Sequence, residues 1–360
     1  MRQVHEQVRH ERGARSGQRK GVSRRALLGG AAACAALRWA LPARADDGVA
    51  PFGPWRATLL REHPLVGTIF DTLAERAVSR QVLEQRLRAH AVAILGEVHD
   101  NPDHHRIQAA LLRAFAEGRK KPPAVVFEMI PADMQRRVDS ILRVEGLDAD
   151  MIFDAVRWDE SGWPPRALYR PLMEVVVALK APVIAAGLPR DQVRGVAREG
   201  LGAMLSRKEQ EALQLAPLPE PLMNGMVAEI IRSHCDMIPA EVARGMSRVQ
   251  RLRDALLADG VRAGWRRQGA AVLICGDGHA RKDRAVPLYL KRHGDVPAPL
   301  VVWQAEAQEE ARTVAALLPE DAQPPARVAD VIIVTPKAER EDPCKRFERF
   351  MRRKRKHGRQ

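Results

Sequence analysis

Short apolar runs recur along the chain without polar residues alternating inside them. Strands of a parallel sheet have this pattern, because helices cover both faces of such a sheet. Apolar residues between the runs recur at helical spacing, as in residues 107–117, 170–180 and 242–257. The alternation predicts an α/β fold, with a mostly parallel central sheet flanked by helices. The six predicted strands are residues 92–95, 124–127, 183–186, 271–275, 300–302 and 331–334.

One long segment, residues 190–267, is charged and helical in pattern and contains no strand signal. We expect it to form a helical cap subdomain over one edge of the sheet. The body of the chain, residues 55–344, is long enough for one large α/β domain that carries such a cap.

Two of the predicted strands end in the same way, with Gly96-Glu97-Val98-His99 and Gly276-Asp277-Gly278-His279. Each glycine lets the backbone turn at the carboxyl end of its strand. The turn presents a carboxylate and an imidazole, which are suited to proton transfer or metal ligation. Ligands of open α/β sheets bind outside the carboxyl ends of the strands. We therefore expect two neighbouring strand ends to form one site.

Other polar residues follow the predicted strands directly. His104 and His105 come soon after His99, Glu128 ends the run 124–127, and Arg190 follows the run 183–186. Each alone is explained equally well as a helix cap or a solvated loop charge. Together they predict a concentrated polar site on an otherwise apolar sheet.

The formal net charge of +14 belongs to the two ends of the chain. Residues 1–25 carry +6 and residues 345–360 carry +8, so the residues between are neutral in sum. Aromatic residues make up only 4% of the chain, which leaves few for stacking on bases, and we expect no nucleic-acid partner. Residues 345–360 are predicted to be a disordered basic tail, with peripheral contact to an anionic membrane as the alternative.

The amino terminus has the three parts of an export signal. Arg24-Arg25 precedes an apolar run, residues 26–37, that is too short to span a bilayer permanently, and Ala43-Arg44-Ala45 matches an A-x-A cleavage site. Residues 1–45 are therefore predicted to be a twin-arginine type signal. A Sec signal, or a lipoprotein signal that uses Cys34, is the alternative. We expect a periplasmic protein, or one at the outer face of the inner membrane.

Export changes the interpretation of the remaining cysteines. Cys275 lies inside an apolar run and is expected to be a small core residue. Cys235 and Cys344 lie in polar surroundings and could pair in an oxidising compartment.

The segment LGEVHDNPDHH, residues 95–105, resembles the signature of the ChaN-like haem-binding family. That family belongs to a superfamily with the Tiki, TraB and erythromycin-esterase-type proteins. The resemblance covers roughly residues 60–344, and Gly187 and Asp277 depart from it where the family more often has asparagine. Further matching segments follow in the expected order: 63–67, 127–129, 158–164, 169–171, 234–235, Gln250 with 253–254, 276–279, 335–336 and 342–344.

The resemblance implies a protein that binds ferric haem, takes part in haem or iron uptake, and forms a homodimer that holds haem through tyrosine. A phenolate suits ferric haem iron, and the chain has only Tyr169 and Tyr289. We predict Tyr169 as the iron ligand, with Trp163 and Arg190 as further haem-binding residues. His99, His104 or His105 is the alternative ligand. In a further interpretation, Tyr169 simply fills the core.

A catalytic interpretation remains open beside the haem-binding one. Glu97, His99, Glu128 and His279 resemble the acidic and histidine residues of the hydrolase-like members of the superfamily. There, a histidine acts as a general base, or Glu and His ligate a divalent metal ion. We expect a binding protein rather than an enzyme, and a hydrolase if it is an enzyme.

Overall fold

The computed structural model describes residues 51–357, and the predicted export signal lies outside them. Within these residues, eight strands form a single sheet in the order β2-β1-β8-β7-β3-β6-β4-β5. The strands are β1 (Ile69–Asp71), β2 (Arg76–Ala77), β3 (Val92–Glu97), β4 (Ala124–Pro131), β5 (Val183–Gly187), β6 (Ala271–Gly276), β7 (Leu300–Glu306) and β8 (Val331–Thr335).

The six predicted strands are all confirmed, and they form the parallel part of the sheet, from β5 to β8. Every residue of β3 and of β6 is buried, which explains their unbroken apolar runs. The antiparallel strands β1 and β2 add an edge that the pattern did not predict. They are three and two residues long and partly exposed, so they carry no apolar run.

Helices cover both faces of the sheet and bury two separate apolar layers. Ala93 and Leu95 of β3 face one layer, whereas Val92 and Ile94 face the other, as strand alternation requires. The helices are α1 (Arg80–Ala89), α2 (Pro102–Ala116), α3 (Gln135–Ile141), α4 (Ala149–Ala155), α5 (Arg166–Ala178), α6 (Arg190–Glu199), α7 (Leu201–Met204), α8 (Arg207–Ala212), α9 (Glu220–Ser233), α10 (Ala240–Gln268), α11 (Asp277–Ala280), α12 (Val286–His293) and α13 (Pro343–His357). The first layer contains α2 and α5, and the second contains α10 and α12.

The segment predicted to be helical is confirmed as the five helices α6–α10. Its longest helix, α10, has 29 residues and lies on the face of the sheet, against β4, β5 and β6. Two glycines make this close approach feasible: a Cβ at Gly260 would lie 2.9 Å from the Cβ of Ala186, and one at Gly264 would lie 2.8 Å from the Cβ of Ala124. The segment therefore includes α10, which is part of the second layer on the face of the sheet, and the shorter helices α6–α9.

The prediction of a disordered tail is wrong for residues 345–357, because they belong to helix α13. The predicted pairing of the cysteines is confirmed: a disulfide joins Cys344, in the first turn of α13, to Cys235 after α9. The Phe347 ring packs edge-on against His234, with the ring centroids 5.2 Å apart. A covalent attachment and an apolar contact one turn later hold a helix that the charge pattern alone would leave disordered. Cys275 is buried in β6, as expected.

The contact between α10 and the sheet can be tested with two glycine-to-alanine substitutions. Gly264→Ala should destabilise the protein by about 1–3 kcal/mol, because the new methyl group would overlap the Cβ of Ala124 and crowd Cδ1 of Ile184. Gly202→Ala in α7 is the matched control, since no atom lies within 4 Å of its Cβ position. It should be neutral, or stabilising by about 0.5 kcal/mol. Urea unfolding measures both, and equal effects of the two substitutions would contradict the tight packing.

Candidate functional site

The polar residues predicted to form one site meet at the carboxyl ends of the central strands. β6 lies between β3 and β4, and Glu97 at the end of β3 is paired in register with Gly276 at the end of β6. Glu128 extends from β4 on the other side of β6. The expectation that two neighbouring strand ends form one site is therefore confirmed.

Glu97 is the centre of the first half of the site. Its side chain is completely buried, and its Oε1 accepts a hydrogen bond of 2.6 Å from the Tyr169 hydroxyl. Nδ1 of His99 lies 2.8 Å from the same oxygen. Nδ1 of His105 lies 3.2 Å from Oε2, out of line for a hydrogen bond. Burial alone would raise the pKa of Glu97, but the histidines hold it well below its usual range, so the group is a carboxylate.

His99 is the member of this group that reaches solvent, with 31% of its side chain exposed. Its ring meets Trp163 edge-on at 4.7 Å between centroids. Burial lowers the pKa of His99, but the carboxylates of Glu97 and Glu128 raise it to about 9, so the ring is an imidazolium at neutral pH. A Cβ at Gly276 would lie only 2.8 Å from Nε2 of His99, so the ring position requires glycine there.

The second half of the site is a buried row of Glu128, His279 and Asp254. Oε2 of Glu128 accepts the Gly276 backbone N–H at 2.8 Å, and its Oε1 lies 3.3 Å from Nε2 of His279. Nδ1 of His279 donates to Asp254 at 2.6 Å. Burial opposes charge on all three groups. Even so, His279 lowers the pKa of Glu128 to about 2, and the two carboxylates raise the pKa of His279 to about 10.

Asp254 lies in the middle of α10, and in the sequence it was only part of a segment that matches the family, with no role of its own. Burial raises its pKa to about 6, against the opposing charge of His279. A signal was present in the sequence, because Asp254 is a lone acid among the apolar residues Leu252, Ala255 and Leu257 of the same buried stretch. A charged residue at such a position needs a buried partner, and here the partner is His279.

His104 is placed where it supports the fold rather than the ligand. It is fully buried, its Nδ1 accepts the Val98 backbone N–H at 2.8 Å, and its Nε2 lies 2.9 Å from the Thr335 hydroxyl. Burial and the neighbouring His105 lower the pKa of His104 to about 3, so the ring is neutral and both nitrogens are occupied. His105 is also fully buried, with its Nε2 donating to the His99 carbonyl.

The structure places Tyr169, the predicted iron ligand, in the core and not among the residues that line the cleft. The residue is fully buried between Trp158 and His105, and its hydroxyl is donated to Glu97. Burial, reinforced by the negative charge of Glu97, raises the pKa of Tyr169 well above its usual value. The phenolate that suits ferric iron is therefore strongly disfavoured. The burial of Tyr169 fits its interpretation as a core residue. Tyr289 is fully buried as well.

A cleft of about 420 Å³ opens beside Glu128. Its apolar wall includes Trp163 and Leu257, and the backbone of Gly187 lines it as well. Three arginines line the same cleft: Arg157, Arg190 and Arg253. An apolar wall with a few fixed cationic groups suits a flat apolar ligand that carries carboxylates.

The predicted site residues are thus divided into three groups. Glu128, Trp163 and Arg190 line the cleft, and His99 contacts Trp163 behind it. Glu97 and His279 stand behind them as buried partners, whereas His104, His105 and Tyr169 lie in the core. In the part of the chain that the structure describes, no group of three or more His, Cys, Asp or Glu is arranged to hold a metal ion.

Comparison with known proteins identifies one family. A sequence profile described as "Haem-binding uptake, Tiki superfamily, ChaN" matches residues 83–290. This range runs from α1 to α12 and includes every residue of the site described above. A search of curated proteins gave no match.

Two solved structures are similar to this chain, and the first shares its fold. ChaN of Campylobacter jejuni, solved with cofacially bound haem, has 19% sequence identity and a TM-score of 0.53, with 74% of this chain and 95% of that chain covered. An erythromycin esterase mutant in its open conformation has 13% identity and a TM-score of 0.42, covering 81% of this chain and all of the other.

The buried row can be tested through protein stability. His279→Gln should lower the free energy of unfolding by about 3–5 kcal/mol near pH 6, because it leaves Glu128 buried without a cation. The pKa of His279 is raised to about 10 and that of Glu128 is lowered to about 2. The ion pair is therefore fully stabilising between pH 4.5 and 6.5, the ordinary pKa values of the two groups.

The difference in the free energy of unfolding between His279→Gln and the wild type should narrow as the pH rises towards 10 and as the pH falls towards 2. Urea unfolding across this pH range measures it. The double variant Glu128→Gln/His279→Gln is the control, and it should be no less stable than the single variant. A single variant as stable as the wild type at pH 6 would rule out the ion pair.

Proposed function

This chain belongs to the ChaN family of haem-binding uptake proteins in the Tiki superfamily, and we propose that it binds ferric haem in the cleft beside Glu128 and takes part in haem or iron uptake. The family match over residues 83–290 carries the proposal. The chemistry of the cleft gives it a location.

Haem is a flat apolar ring system with two carboxylates, and the cleft offers partners for both parts. Trp163 and Leu257 provide apolar surface, and Arg190 and Arg253 provide guanidinium groups for the propionates. Arginine binds carboxylates in a two-pronged geometry, so two such groups also fix the orientation of the ring. A cleft of about 420 Å³ lies within the usual size range of small-molecule and cofactor sites.

His99 is the residue that we propose for the iron. Glu97 holds its Nδ1, and among the described residues no group hydrogen-bonds its Nε2. A histidine held by a carboxylate at one nitrogen is oriented to ligate a metal with the other. Histidine is an axial ligand of haem iron, and it would take the place of the buried Tyr169.

Export supports the same function. The disulfide between Cys235 and Cys344 favours an oxidising compartment, and the amino-terminal pattern of residues 1–45 is that of an export signal. We place the protein in the periplasm or at the outer face of the inner membrane. There it would meet haem before transport, as a homodimer by analogy with the family. In the part of the chain that the structure describes, no helix is both long and apolar enough to cross a membrane.

A second candidate function is hydrolysis, and the row of paired charges beside the cleft favours it. His99 is positioned as a general acid, because its pKa is raised to about 9 by Glu97 and Glu128 despite burial. Glu128 is a carboxylate at the same place and would orient a water molecule. Under this function, Glu97→Gln should abolish turnover of an ester or peptide substrate, whereas Tyr169→Phe should have little effect on it.

A haem titration of the purified protein, followed by absorbance, tests the proposed ligand. The wild type should give a saturable Soret band, and His99→Ala should lose the ligated spectrum or weaken binding by at least about tenfold. Tyr169→Phe is the matched control and should keep the spectrum, because its hydroxyl faces Glu97. Loss of the spectrum in Tyr169→Phe alone would show that the tyrosine moves out to bind iron. The absence of a specific spectrum in the wild type would contradict the proposed function.

The pH dependence of haem affinity provides a separate test. The pKa of His99 is raised to about 9, so iron must displace a proton at any lower pH. The affinity should therefore rise by about tenfold for each pH unit between 6 and 8. Titrations at three pH values measure this slope, with His99→Ala as the control that should lack it. A flat profile in the wild type would exclude His99 as the ligand.

A further inference from the structure

Helix α13 carries a cluster of positively charged residues that have no part in the proposed haem site. Residues 343–357 contain eight lysines and arginines and a single acid, Glu348. The rest of the chain between the two basic ends is neutral in sum. The charge is therefore concentrated on one helix of the folded protein.

The helix has distinct inner and outer faces. Phe347 and Met351, four residues apart, are half-buried, and Phe347 contacts His234. Lys345, Arg346 and Arg349 are exposed and point away from Phe347 and Met351 around the helix, and Arg346 lies one turn before Phe350, as the helical repeat requires. The face turned away from the body is therefore basic.

One large apolar side chain is left outside this packing. Phe350 is 57% exposed and lies beside Phe347, with the ring centroids 6.2 Å apart. An exposed aromatic ring next to basic groups matches the residues that peripheral helices insert at the headgroup level of a bilayer.

The position of the helix is fixed by covalent attachment. The disulfide joins Cys344 to Cys235, whose backbone, like that of Asp236, has a φ of +57° in the turn between α9 and α10. α13 is thus already folded and oriented on the body, so binding would not require the helix to form.

The basic groups remain available to a stronger anionic partner. Arg349 pairs with Glu341 and Arg352 pairs with Glu348, and all four side chains are substantially exposed. Exposed pairs of this kind are weak and are screened by salt, so they can exchange for phosphate groups.

We propose that α13 is a docking surface for anionic phospholipid headgroups, with its basic face on the phosphates and Phe350 inserted among them. This role is separate from haem binding. The exposed aromatic ring favours a lipid surface over a nucleic acid, because an interfacial ring gains burial between headgroups. Each basic residue near an anionic bilayer adds favourable attraction that decays within the Debye length.

Cosedimentation of the full chain with vesicles tests the proposal. The protein should bind vesicles of phosphatidylcholine with 30% phosphatidylglycerol and be released at high salt, and it should not bind pure phosphatidylcholine. Arg346→Glu/Arg349→Glu should weaken binding by at least about tenfold. Phe350→Ser should weaken it several-fold with no change in net charge.

The matched control is Arg207→Glu/Lys208→Glu on α8, which is also exposed and changes the net charge by the same amount. It should retain affinity within about threefold. Equal loss in both double variants would show a response to total charge and overturn the docking surface. The docking surface would also be overturned if the α13 variants bound vesicles as well as the wild type. The same holds if they lost binding only to a short DNA duplex. Haem titration of the same variants keeps this result separate from the proposed function.

Discussion

Two ionised carboxylates, Glu97 and Glu128, are buried at the carboxyl ends of the central strands. The packing of the side chains around them depends on neutralising their negative charge. A buried carboxylate without a partner costs several kcal/mol, so each must lie against a histidine. His99 and His279 fulfil this need, and the close approach of the His99 ring requires glycine at position 276. The histidines of the echoed pattern, and the glycine at position 276, are therefore required for folding as much as they are a functional signature.

This requirement also determines which residues are left for a ligand. Tyr169 supplies a hydrogen bond that stabilises Glu97 and is consequently held protonated in the core. His99 stabilises the same carboxylate but remains partly exposed beside Trp163. Of the two neighbours, only the histidine combines a fixed orientation with partial exposure, next to a residue that lines the cleft.

The sequence predicts those features that follow from local pattern. The six parallel strands are recognisable because burial on both faces removes polar alternation, and the site is recognisable because parallel strands end at a common edge. The role of Asp254 depends on how α10 packs across the sheet, which brings this residue to His279 after β6. The burial of Tyr169 depends on its packing against Trp158. The order of α13 depends on a disulfide whose partners are 109 residues apart, which charge pattern alone does not reveal.

That disulfide also implies that the surface of the protein differs before and after the bond forms. Cysteines remain reduced in the cytoplasm and pair in oxidising compartments, so the bond between Cys235 and Cys344 is absent while the chain is being made. Until the bond forms, the last helix lacks its covalent link to the turn after α9, although Phe347 can still pack against His234. Under the proposed export, the oriented basic face would be complete only after translocation, so newly made copies and exported copies would have different surfaces without any change in sequence.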